Sequence, residues 1–316
     1  MKKWLLLLII FLAIGIGCLY FIVPARIRSQ QNLKIAVNAK GFARNFSDQK
    51  RWSLWWPEKD AATTFDERKQ TFYYNGNTYN ILEKRMSSFI ISVTSEKDSL
   101  LTELFFIPVK NDTVLLLWNA QQVTSLNPIK KLQVYFGNKK IMKDMNTIMK
   151  SLQTFYAIEN NLYGVPIKKD KVSDSTLITT SVTTKGYPGV EYIYSLIDKL
   201  QAFAQKNGAK QTGHPMLNIN TADSITYRTQ VALPVDKKLK DEGNIYYRWM
   251  LGGGNILVAE VKGGTHSLNK AFMEMGNYID DYRRTAPAIP FQSLVTDRRK
   301  EPDTSKWVTK LYWPVM

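Results

Sequence analysis

Thr265-His-Ser-Leu-Asn-Lys-Ala-Phe-Met-Glu-Met-Gly-Asn-Tyr-Ile-Asp-Asp-Tyr-Arg-Arg284 carries apolar side chains at Leu268, Phe272, Met275, Ile279 and Tyr282, three or four residues apart. That period turns one stripe of an α-helix toward a core, so it predicts a helix over 265–284, with Thr265 as its N-cap. Working outward, 244–262, 290–296 and 306–315 have strand character, and the first of these can break at Gly252-Gly-Gly254. The same order stands earlier in the chain. A strand at 175–184 is followed by a helix at 189–207, whose stripe is Ile193, Leu196, Ile197, Leu200 and Phe203. Strands at 215–220 and 224–235 complete it, and Gly208 is placed to end the helix in a left-handed cap. Strand–helix–strand–strand, written twice, predicts a duplicated βαββ domain with pseudo-two-fold symmetry over residues 165–316.

Residues 32–160 read differently. Leu33 to Lys40 alternates as a strand, a Phe-rich helical stretch runs from Gly41 to Asp48, and Trp52, Trp55 and Trp56 crowd before Pro57. Strand-like runs follow at 71–74, 78–84, 87–94, 100–108 and 113–121. Turn residues separate them, notably Asn75-Gly76 and Asn111-Asp112. A helix from 138 to 159 closes the segment, with Ile141, Met145, Ile148, Leu152 and Phe155 on one face. An antiparallel sheet followed by one long amphipathic helix is solved by curling the sheet around the helix. The whole is therefore an α+β chain. The tryptophans have two readings, core packing and the lining of a pocket, and large aromatics need no ligand to justify their burial.

A length of 316 residues suits two domains, and a 44% hydrophobic content excludes disorder. The one cysteine, Cys18, rules out a disulfide framework or a thiolate metal site in residues 32–316. It sits in an unbroken apolar run from Trp4 to Val23, long enough to cross a bilayer. Residues 1–31 are thus expected to be a single-pass transmembrane anchor with a short linker. A cleaved signal peptide has a shorter apolar core, and Gly15-Ile16-Gly17-Cys18 is only a weak lipobox. Lys2 and Lys3 face Arg26 and Arg28 across the run, so the charge rule nearly balances. The free amino terminus tips the expectation toward an extracytoplasmic body. A net charge of +16 attracts anionic surfaces. Lys and Arg are scattered, however, and neither zinc-finger spacing nor a helix-turn-helix pair is present, so nucleic acid is not an expected partner.

The opening strand, the short helix, the Trp52/Trp55/Trp56/Pro57 cluster and the terminal helix resemble the START/polyketide-cyclase-like (SRPBCC) helix-grip superfamily. That resemblance implies an apolar cavity between sheet and long helix. The second half resembles the GyrI-like domain, an effector-binding module of several multidrug-responsive bacterial regulators that also occurs without a DNA-binding partner. The matching residues are Thr229–Val235, Val261–Gly264 with Leu268, Pro290–Asp297, Glu301–Trp307 and Thr309–Val315. It implies a groove lined with aromatics that holds small, often cationic, molecules. This chain departs from the pattern in two places. Gln292 stands where an acid is usual, with Leu294 two positions on in place of Tyr, and Thr309-Lys310 replaces Thr-Glu. A cation in a low-dielectric pocket needs a carboxylate to offset its desolvation. The resemblance, so altered, implies a neutral or anionic hydrophobic ligand, unless Gln292 and Lys310 point away.

Strand parity makes Tyr227, Tyr247, Trp249, Tyr312 and Trp313 candidate lining residues, and Tyr312 and Trp313 must face opposite sides. The family pattern leans to Tyr312. Glu260, an acid inside an apolar strand, is either a ligand partner or general base with a raised pKa, or a strand-edge acid paired with a nearby Lys. His214 and His266 have no carboxylates at ligand spacing, and no phosphate or dinucleotide motif occurs. No cofactor, metal or catalytic residue is therefore expected. The expected function is membrane-anchored binding or sensing of a small hydrophobic molecule, with Gln292, Lys310, Tyr312, Tyr227, Trp249 and Glu260 as ligand-binding residues. A hydrolase or cyclase and a non-catalytic interaction scaffold are the alternatives.

Overall fold

The computed structural model describes residues 2–57, 71–95, 99–173, 176–221, 223 and 225–316, and leaves aside the side chains of residues 2, 3, 5, 6, 8 and 9. The chain divides into two units between Leu162 and Tyr163. In the first, helix α1 (Lys2–Ile22) leads within a few residues into strand β1 (Arg26–Ala36). Among the described residues no helix is long and apolar enough to cross a membrane. The expected span, 4–23, falls on α1, and four of its residues (5, 6, 8 and 9) have side chains outside the description.

β1 starts at Arg26, inside the expected linker. The polar stretch Arg26–Asn32 shows no strand pattern by itself, yet it continues an unbroken antiparallel register with β6 (Thr113–Val123), from Arg26 opposite Val123 to Ala36 opposite Thr113. Pairing decides the strand where side-chain alternation is weak. Helix α2 (Ala39–Phe46) and a 3-10 turn (Gln49–Leu54) follow, then β2 (Thr71–Tyr74), β3 (Asn77–Lys84), β4 (Ser88–Thr94) and β5 (Ser99–Lys110). The sheet order is β1-β6-β5-β4-β3-β2, antiparallel throughout.

Helix α3 (Pro128–Tyr156) starts ten residues before the stretch 138–159. Asn127 accepts from the Ile129 and Lys130 amides, and Pro128 occupies the first turn, where a missing N–H does no harm. Ile141, Met145, Ile148 and Leu152 are buried as their spacing requires, with Tyr156 rather than Phe155 completing the face. The space between sheet and helix is filled by the chain's own rings. Trp52, Trp55, Trp56 and Trp118 are each at most 2% exposed. Trp52 lies 5.2 Å from Phe46, 5.2 Å from Trp55 and 4.7 Å from Phe89, and Trp56 lies 4.7 Å from Phe72. Packing is the reading of the tryptophans that this arrangement displays.

A short helix, α4 (Glu159–Tyr163), spans the division. The second unit contains β7 (Ile167–Lys171), β8 (Thr176–Lys185), α5 (Val190–Lys206), β9 (Met216–Thr221), β10 (Thr226–Pro234), β11 (Tyr246–Trp249), β12 (Asn255–Lys262), α6 (Thr265–Asp281), β13 (Phe291–Leu294) and β14 (Val308–Pro314). Its sheet runs β11-β8-β10-β9-β13-β14-β12-β7. The two βαββ repeats are β8–α5–β9–β10 and β12–α6–β13–β14, and they meet where β9 pairs with β13. Gly208 has φ +64, the left-handed cap its position suggests. Gly264, not Thr265, occupies the cap position of α6.

The stretch 244–262 is two strands that lie far apart in the sheet. β11 pairs with β8 of the first repeat, while β12 pairs with β14 and β7. β7, which precedes the first repeat, closes the edge of the second, so the repeats exchange their outer strands. Each connection crosses six strand spacings, about 29 Å in a flat sheet. The backbone from Trp249 to Asn255 reaches at most about 22 Å. The sheet must therefore bend. Met250 and Phe291 pack against the cluster of Leu177, Met216 and Ala232, on the face away from the helices, so the bend closes toward that face. Gly253 takes φ +74 in this crossing, and a Cβ on Gly254 would sit 3.0 Å from the Leu251 carbonyl oxygen. On the other face, Ile193, Ile197, Leu200 and Phe203 of α5 pack against Ile178, Leu217, Val231 and Leu233.

Candidate ligand-binding cavity

Alternation along β13 and β14 sets which side chains meet. Leu294 packs into the core beneath α5, so Gln292, two residues back, shares the helix face, while Phe291 and Ser293 point away. Gln292 is opposite Leu311 in the ladder, and Thr309, Leu311 and Trp313 share its face. Trp313 meets Phe272 of α6 at 6.4 Å. Tyr312 turns to the opposite face and stacks on Phe291, 5.1 Å away with 12° between the rings.

On the helix face lies a cavity of about 430 Å³, lined by Leu217, Ile219, Phe272, Met273, Gln292 and Trp313 among others. That size falls in the range of small-molecule sites. A smaller hollow of about 230 Å³, lined by Leu177, Met216, Ala232, Met250 and Phe291 among others, occupies the bent face. On the first unit, a hollow lined by Arg28, Gln30, Leu101, Glu103, Asn119 and Gln121 among others lies on the sheet face away from α3.

The polar side chains that line the helix-face cavity are Asn218, Asn220 and Gln292; Asn218 Nδ2 donates to the Pro290 carbonyl oxygen at 2.8 Å, and Gln292 is the buried one of the three. Its Oε1 accepts from Arg298 Nη2 at 3.1 Å, and the same nitrogen donates to Thr309 Oγ1 at 3.1 Å. A guanidinium has donors only, so it fixes which way the amide points. The Gln292 NH2 is left as the group that can serve the cavity. Arg298 is 9% exposed, and its guanidinium stands 4.8 Å over the Trp307 ring. Its backbone N–H donates to the Tyr194 hydroxyl at 2.8 Å. Among the described residues no carboxylate pairs with it. Asp297 next door pairs with Arg299 and Lys300, and Asp198 pairs with Arg299. Arg298 Nε, also buried, has no acceptor. Burial pushes the guanidinium below its ordinary value, while Tyr194 and Tyr187 raise it. It stays cationic at neutral pH.

The other expected site residues are dispersed. Tyr227 lies edge-on to Tyr187 at 5.6 Å. Trp249 is 60% exposed on the edge strand β11. Glu260 is exposed directly opposite Lys310 in the ladder, on the face of Tyr312. Gln292 is thus brought together with Trp313, Thr309 and Arg298, and not with Lys310, Tyr312, Glu260 or Trp249. Reading the sequence missed Arg298, because a Thr-Asp-Arg-Arg turn looks like solvated charge. The stripe of α6 marks Phe272 as core only, although a helix face that borders a sheet also borders its cavities. Among the described residues no three His, Cys, Asp or Glu side chains cluster as a metal site.

No family model matches the chain, and no curated protein matches it. Solved structures do. The EcmrR C-terminal domain is 16% identical, with 48% of this chain and 98% of that one aligned at a TM-score of 0.41. SAV2435, solved bound to tetraphenylphosphonium, is 12% identical over 48% of this chain and 94% of its own, at 0.31. The di-domain ARO/CYC protein BexL, from the BE-7585A biosynthetic pathway, is 10% identical, but the alignment covers 92% of this chain and 85% of that one, at 0.32. At these identities and scores a likeness assigns no function.

Proposed function

We propose that the second unit binds a small molecule of low polarity, neutral or anionic, in the cavity on the helix face of its sheet, as a GyrI-like domain joined to a helix-grip domain. The observation that carries this reading is the Gln292 amide. Its oxygen is held by Arg298, its NH2 is left for the cavity, and Leu217, Ile219, Phe272, Met273 and Trp313 supply apolar walls. A largely apolar pocket with a few placed polar groups is the usual chemistry of a ligand site. A cation entering it would meet N–H donors and a buried guanidinium, with no carboxylate to compensate it.

Residues 4–23 anchor the chain to a membrane in this reading, with the rest outside the cytoplasm. Its support is the unbroken apolar run from Trp4 to Val23 in the sequence. The function is then sensing or carriage of a hydrophobic molecule near a bilayer, and it requires no nucleic acid.

The test is calorimetric titration of the full chain in zwitterionic nanodiscs with 2-naphthoate and with 2-naphthyltrimethylammonium, using empty discs as the blank. One naphthoate per chain, bound more tightly than the cation, is the expected result. Tighter binding of the cation refutes the ligand class, and binding of neither refutes the cavity as a receptor site.

A further inference from the structure

Taking the second unit as a ligand-binding domain, we infer that its ligand carries an acidic head group, a carboxylate, sulfonate or phosphate ester, set against Gln292 and Arg298 with an apolar body against Phe272, Met273 and Trp313. The inference deepens that reading and rests on it. Its carrier is a different observation, the state of Arg298.

A buried guanidinium is ordinarily matched by a carboxylate, because an unpaired charge away from water is strongly unfavourable. Arg298 has neutral partners only: an amide oxygen, a threonine hydroxyl and an indole face. Its Nε has no acceptor. Around it, Asp297 and Asp198 are engaged by Arg299, and the hydroxyl of Tyr194 is shared between the Arg298 amide and the Thr296 carbonyl. The local arrangement therefore holds a net positive charge behind the Gln292 side of the cavity.

An acid that accepts from the Gln292 NH2 lies two hydrogen bonds from that charge, through an amide and a guanidinium that are both buried, so the charge behind the wall is weakly screened. A neutral acceptor in the same position gains the amide hydrogen bond and nothing from the guanidinium.

The experiment compares 2-naphthoate with 2-naphthamide, equal in shape and different in charge, by calorimetry on the full chain in zwitterionic nanodiscs. The acid is expected to bind at least tenfold more tightly, which is about 1.4 kcal/mol, at one per chain. In Arg298→Gln the acid-to-amide ratio should fall to about one. A merely structural Arg298 would weaken both ligands together and leave the ratio unchanged, which overturns the inference. Gln292→Glu guards against a variant that fails to fold, since it gives Arg298 an internal carboxylate. It should also abolish the preference for the acid and favour 2-naphthyltrimethylammonium. Equal affinity of acid and amide in the parent chain overturns the acidic head group while the receptor reading stands. Loss of binding to both ligands in the parent chain removes the receptor reading itself.

Discussion

Trp52 and Trp55 are both buried in the first unit, yet truncating their indoles to phenyl rings should have very different effects. Trp52→Phe and Trp55→Phe each remove roughly 40 Å² of apolar ring, worth about 1–2 kcal/mol at ~25–50 cal/mol per Å². The polar halves of the two rings oppose one another. Trp52 Nε1 donates to the Phe46 carbonyl oxygen at 2.8 Å, and Phe46 is fully buried. Losing that donor leaves a buried acceptor bare, which adds about 1–3 kcal/mol. Trp55 Nε1 has no acceptor, so removing it takes away a buried group that was never satisfied and returns a penalty of similar size, about 1–3 kcal/mol. Trp52→Phe should therefore destabilise the first unit by about 3 kcal/mol, and Trp55→Phe by about 1 kcal/mol or less. Native-state hydrogen exchange of the α3 and β4–β6 amides reads the opening free energy of this unit separately from the second. Equal losses in the two variants would refute the account of a self-filled interior in which each indole is judged by its hydrogen bond.

Burial raises the hydroxyl pKa of Tyr79 and Tyr156 well above the ordinary tyrosine range, with Asp144 adding to the effect at Tyr79. The folded chain then keeps protons that the unfolded chain releases, so this stability is intact below about pH 10 and is lost as pH rises beyond it. Tyr156→Phe, at a hydroxyl without a partner, should flatten the alkaline limb of a melting-temperature profile, and an unchanged limb would count against the burial. Thr309→Val keeps the shape of a fully buried side chain but takes one acceptor from Arg298. It should destabilise the second unit by about 1–3 kcal/mol and leave exchange in the first unit as it was. If residues 4–23 form the anchor, the chain should stay with membranes through alkaline carbonate extraction, and a version lacking those residues should appear in the supernatant.

The repeat over 165–316 was legible because α5 and α6 each bury one stripe, and a 3.6-residue period survives in any sequence that does so. The exchanged edge strands were not. Ile167-Lys-Lys-Asp-Lys171 has four exposed polar residues out of five and owes its strand form to the ladder with β12, a partner 84 or more positions away. The stretch 244–262 read as one long strand because aromatic and β-branched residues stand on both sides of the glycines at 252–254, which marked the break. At the cavity, Gln292 was identifiable by its departure from a family pattern, but its orientation depended on a residue six positions on, across a turn. Parity separated Tyr312 from Trp313 correctly as a pair. Which of them faced the cavity beside Gln292 depended on where the helices pack, and single-strand alternation carries no such information.

Because β7 completes the repeat that it does not adjoin, the second βαββ copy is not self-sufficient as a piece of chain, whereas the first is completed by β11, the strand that follows it. A fragment ending near residue 240 would lack the outer strand of its own sheet and keep an orphaned one meant for the other copy. The short crossing at 250–254 is then a latch. Should it open at high concentration, the second copy can complete the sheet of another molecule in an identical register, and the product is a reciprocal dimer.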